Sequence, residues 1–104
     1  MLKWTARIMA ARAAGRGCPL EVYQDARYGA TCLVGEAAEI LDLTYSVANA
    51  RLSERIGVLI RGPAAGLSVG DTFPVLLAAG DLARAERLCL KVEDALDAIK
   101  REKA

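Results

Sequence analysis

The sequence predicts an all-α chain, a small compact bundle of four to five helices. Three observations carry that expectation. Apolar residues recur at three- and four-residue spacing through most of the chain, as they do on the inner face of a helix. Glycines and prolines fall between the periodic stretches rather than inside them. Only one short piece alternates like a strand, Val69, Phe73 and Val75, and Pro74 argues against a central strand there.

The elements follow in order. Residues 2–14 carry Trp4, Ile8, Met9 and Ala11 on one side and Lys3, Arg7 and Arg12 on the other. Gly15, Gly17 and Pro19 end that stretch. A second helix is expected over residues 20–28, with Glu21 in its first turn and Gly29 after it. A connection over 31–35 leads into the periodic stretch 36–60. An irregular loop is expected over 61–71, where Gly62, Pro63, Gly66 and Gly70 gather. Helix is expected again from Val75 to the break at Gly80. Asp81 then caps the clearest helix, whose inner row is Leu82, Ala85, Leu88, Cys89, Val92, Leu96 and Ile99.

With 104 residues the chain forms one domain, 1–104, with a single core. Its 54% apolar content is large for so small a body. Surplus apolar surface on a small domain favours a homo-oligomer, expected through the C-terminal helix. Cys18, Cys32 and Cys89 are too widely spaced for a zinc site, and their odd number fits free thiols in a reducing compartment. No stretch reaches the roughly 18 apolar residues that span a bilayer, and the start has no signal-peptide core. A cytoplasmic protein without membrane contact is expected. The chain has no histidine and no Walker loop, and Gly66-Leu67-Ser68-Val69-Gly70, which superficially resembles a nucleophile elbow, has no histidine base to serve it, so no enzyme, cofactor or metal site is expected.

The functional expectation rests on residues 36–56, EAAEILDLTYSVANARLSERI. Ala37, Ile40 and Leu41 give a first helix its inner face, and Ala38 is small enough for close helix contact. Leu43 fills a turn, and Thr44 is a natural N-cap for a second helix beginning at Tyr45. Ala48 and Leu52 then point inward, while Tyr45, Ser46, Asn49 and Ala50 point outward. Asn bridges adenine N6 and N7, and Ser and Tyr reach bases or phosphates. Arg51 and Arg55 flank this face, suited to phosphates, and Arg7 and Arg12 are further candidates. The competing reading is one continuous amphipathic helix, because residues 36–56 contain neither glycine nor proline.

The same run resembles the helix-turn-helix of sigma-factor region 4 and of LuxR-type regulators. Glu36, Ala38, Glu39, Leu41, Leu43, Arg51, Leu52 and Ser53 match that pattern, and Thr44 stands for its usual serine. Asp42 replaces the usual turn glycine, and Val47-Ala48 replaces Thr-Val. The resemblance implies a recognition helix with Tyr45, Ser46, Asn49 and Ala50 at base-reading positions. The expected function is a small DNA-binding protein, regulatory or phage-like in setting, with DNA contacts at Thr44, Tyr45, Ser46, Asn49, Arg51 and Arg55. The net charge of +1 favours an alternative, a helical adaptor, chaperone or assembly subunit that binds no nucleic acid.

Overall fold

The computed structural model describes residues 1–15, 32–57 and 67–103. Within them lie five helices: α1 (Lys3–Ala13), α2 (Leu33–Leu41), α3 (Tyr45–Ile56), α4 (Val69–Ala78) and α5 (Leu82–Lys103). Among the described residues there is no strand. The helix expected over 20–28 and residues 61–66 of the expected loop lie outside the described residues.

The long helix α5 is the spine, because it touches each of the other four. Its predicted inner row, from Leu82 through Ala85, Leu88, Cys89, Val92 and Leu96 to Ile99, is buried as expected. Asp81 caps it, its Oδ1 accepting the Arg84 N–H at 3.1 Å. Leu88 and Leu96, on the helix expected to mediate self-association, thus lie inside the chain's own core. Leu90 is the large apolar side chain that α5 leaves exposed.

α1 packs along α5. Leu2 precedes this helix and has no side chain that can cap it, so its first amides need acceptors from elsewhere. Two carboxylates supply them. Glu36 of α2 accepts from Lys3 N–H at 2.7 Å and Trp4 N–H at 3.1 Å. Glu93 of α5 accepts from Leu2 N–H at 3.0 Å. A negative charge at a helix N-terminus is also favoured by the macrodipole. Trp4 is buried and meets Phe73 of α4 edge-on, with ring centroids 5.3 Å apart. Met9, expected on the inner side, is exposed instead.

α4 begins earlier than the sequence suggests. Residues 69–71, expected in the irregular loop, are helical, and the alternating piece through Val75 is helix rather than strand. Ser68 is the N-cap of α4, its Oγ accepting from Asp71 N–H at 3.3 Å and donating to Asp71 Oδ2 at 2.9 Å. Pro74 sits inside this helix, where its missing N–H leaves the Gly70 carbonyl without its usual partner. Burial of Val69, Thr72, Phe73, Leu76 and Leu77 outweighs that loss.

Candidate nucleic-acid interface

The backbone turns at residues 42–44, so the stretch expected to be one helix or two is two. Cys32 starts α2, its Sγ accepting the Gly35 N–H at 3.2 Å, which places the start before the expected connection ends. Asp42 stops the helix in the left-handed conformation, φ 54° and ψ 47°. Leu43 N–H then bonds the Ala38 carbonyl at 3.0 Å, and Asp42 N–H bonds that of Glu39 at 3.2 Å. This pair of reversed bonds is the Schellman closure of a helix end. Asp42 thus occupies the conformation that glycine usually supplies, and aspartate is one of the few residues that tolerates it. Thr44 starts the next helix, its Oγ1 accepting from Val47 N–H at 3.3 Å.

α2 and α3 pack on each other through small and branched residues. Ala37, Ala38 and Leu41 on α2 and Ala48, Leu52 and Ile56 on α3 are buried, as expected for the inner faces. Ile40 is not part of that face: it is 44% exposed. The buried row of α2 runs through Leu33, Val34, Ala37, Ala38 and Leu41, and Ile40 falls just outside it.

The residues on the outer side of α3 divide into three groups. Ser46, Ala50, Arg51 and Glu54 are exposed, together with Val47. Arg55 is exposed but ion-paired with Glu102 of α5. Arg51, Glu54, Arg55, Ile99 and Glu102 line an open cleft of about 500 Å³ between α3 and α5. The third group, Tyr45, Asn49 and Ser53, faces the N-terminus of α4.

That third contact is closely fitted. Val69 N–H donates to Ser53 Oγ at 3.0 Å, and Gly70 N–H donates to Asn49 Oδ1 at 2.8 Å. Together with the Ser68 cap, these bonds satisfy the first three amides of α4, which no helix can satisfy internally. A Cβ added at Gly70 would stand 2.3 Å from the Tyr45 hydroxyl. Tyr45 therefore lies directly on the α4 backbone. Burial pushes its phenol up to about 12, and the neighbouring Cys32 thiol and Asp71 carboxylate add to that rise.

The other basic candidates are engaged elsewhere. The Arg7 guanidinium lies 4.2 Å from the centre of the Trp4 ring. Arg12 forms an ion pair with Glu86. Among the described residues, no three His, Cys, Asp or Glu side chains are placed to hold a metal, and no helix is long and apolar enough to cross a membrane.

Sequence reasoning did not find Ser53, Gly70 or Glu36 in their observed roles. Ser68-x-x-Asp71 was the available signal for the start of α4, because Ser followed three residues later by an acid marks a capped helix start. Comparison with known protein families, with curated proteins and with solved structures returned no match to this chain.

Proposed function

We propose that this chain is a small DNA-binding protein that presents α3 to the duplex. The observation that carries this reading is the turn at residues 42–44. It makes α3 a separate, Thr44-capped helix packed against α2, with Ser46, Ala50 and Arg51 on its exposed side. A helix held this way by its neighbour is the arrangement that a major groove admits. In this reading Ser46 meets base edges or phosphates, Arg51 meets phosphates, and Thr44 keeps the helix start in register. Tyr45 and Asn49 belong to the reading set only where α4 leaves them free, and Arg55 only where Glu102 releases it.

The test is retention of random-sequence and genomic duplex fragments at low salt. Binding that weakens steeply as salt rises is expected, together with a shallower salt slope for Arg51→Ala at unchanged thermal stability. If no duplex is retained at low salt, the DNA reading is lost.

One observation favours a second reading. Glu54 shares the exposed stripe with Arg51, and Glu102 neutralises Arg55, so the face has little net positive charge. A helical interaction or assembly protein fits that balance. It would give no duplex retention and a discrete oligomer by light scattering.

A further inference from the structure

The contact between α3 and α4 suggests how the proposed DNA face is controlled. We propose that the first turn of α4 is an autoinhibitory contact. It occupies the Tyr45–Asn49–Ser53 side of α3 and has to move away before α3 enters a groove. The inference rests on the DNA reading of α3.

Three facts support it. Asn49 Oδ1, the acceptor that α3 would offer to a base, is taken by the Gly70 amide at 2.8 Å, and the Val69 amide ties the turn to Ser53 Oγ beside it at 3.0 Å. The occlusion is also steric. A major groove about 12 Å wide admits one helix of about 10–12 Å diameter, so a second helix on the side of α3 that carries Tyr45 and Asn49 keeps those residues from the base edges. Finally, one tie of the occluding turn to the rest of its own helix is missing. Gly70 is a poor helix former, and Pro74 gives its carbonyl no partner. Phe73, further along, stays anchored against Trp4, so parting the first turn from α3 uncovers Val69 but leaves the body of α4 in the core.

The contact depends on residue 70 being glycine, since any Cβ there meets the Tyr45 hydroxyl. It also depends on Ser53, which the proposed base-reading set does not include. Two variants of the full chain therefore probe it without removing a proposed DNA contact. Gly70→Val drives the turn off Tyr45 by bulk. Ser53→Ala removes one hydrogen bond and nothing else.

The experiment is a fluorescence-anisotropy titration of a labelled 20-base-pair random-sequence duplex at low salt, with far-UV circular dichroism to establish that each variant is folded. If opening limits binding, loss of one hydrogen bond raises the open fraction, and hence the apparent affinity, by about fivefold for Ser53→Ala. Gly70→Val is expected to raise it further. Should Gly70→Val fail to fold, Ser53→Ala with native helicity decides alone. Affinity unchanged or lowered in a folded variant, while the parent chain binds, overturns the autoinhibitory contact and leaves the DNA reading standing. If neither parent nor variants bind the duplex, both are overturned.

Discussion

Among the described residues the chain makes the same kind of joint twice, with different residues. Between α2 and α3 the left-handed position is Asp42, at φ 54°; between α4 and α5 it is Gly80, at φ 70°. Both close with the same reversed pair of bonds. Leu43 N–H reaches the Ala38 carbonyl and Asp42 N–H that of Glu39, while Asp81 N–H reaches the Leu76 carbonyl and Gly80 N–H that of Leu77. Each is followed by a side-chain N-cap, Thr44 in one case and Asp81 in the other. The second joint uses the least strained residue for its conformation, and its cap also reaches the Arg84 side chain, with Nε 3.4 Å from Asp81 Oδ2. The first joint uses a residue that tolerates the conformation at a cost. Backbone hydrogen bonding thus defines the turn, and side chains adjust only its stability.

The largest expected effect tests whether the two joints share one core. Leu52 under the first and Leu77 near the second are both fully buried. Leu52→Ala and Leu77→Ala are each expected to cost about 3 kcal/mol. Both should melt in a single transition, monitored by circular dichroism and by Trp4 fluorescence. A separate early transition in Leu52→Ala alone would mean that α2 and α3 fold as a unit apart from α5.

Alkaline pH compares the two sides in another way. Burial pushes the Cys89 thiol on α5 up to about 12, against an ordinary value of 9.0, with the Thr5 hydroxyl pulling the other way and the Glu93, Glu36 and Glu86 carboxylates adding to the rise. The unfolded chain releases that proton near 9 while the folded chain still holds it. Between those values the unfolded state binds fewer protons, so stability falls as pH rises. Tyr45 adds a smaller loss in the same direction above its ordinary 10.0, because it is 42% exposed and water screens part of the effect. Melting temperature is therefore expected to fall between pH 9 and 12, and to fall less in Cys89→Ala than in Tyr45→Phe. A Cys89→Ala profile parallel to that of the parent chain would show that the thiol is not the group responsible.

How much of this was legible depends on how local each feature is. Asp81, Thr44 and the inner row of α5 are written in neighbouring residues, and the sequence located all of them. The start of α4 was not, because Gly70 and Pro74 both argue against helix. What overrides them is long-range: acceptors on Asn49 and Ser53, and the burial of Phe73 against Trp4. The same contacts explain a puzzle in α3, where Asn and Ser, poor helix formers, sit in mid-helix. They cap another helix. Glu36 illustrates the converse error. Its place in a helix-turn-helix pattern drew attention to α2, whereas its carboxylate holds α1.

The two caps are expected to differ modestly. Thr44→Ala removes one hydrogen bond, at 3.3 Å, and is expected to cost about 1 kcal/mol. Asp81→Ala removes a shorter bond to Arg84 N–H, the contact with the Arg84 side chain and a charge favoured by the α5 dipole, so its loss is larger. Urea denaturation of both variants checks the order. A larger loss for Thr44→Ala would show that the first joint depends on its cap more than the second does.

The smallest effect bears most directly on the comparison. Exchanging the residue types at the left-handed positions should move stability in opposite directions. Gly80→Ala adds a Cβ with nothing within 4 Å of it, so only backbone strain opposes it, and the expected cost is about 1 kcal/mol. Asp42→Gly relieves the same kind of strain but leaves the unfolded chain freer, so its gain is expected to be below about 1 kcal/mol. If Asp42→Gly destabilises the chain, the Asp42 side chain contributes to the turn and the two joints are not equivalent. If it stabilises, the position asks only for a left-handed backbone. DNA retention should then be unchanged, because the bonds that orient α3 run through the Leu43 and Asp42 amides and not through the side chain that was removed.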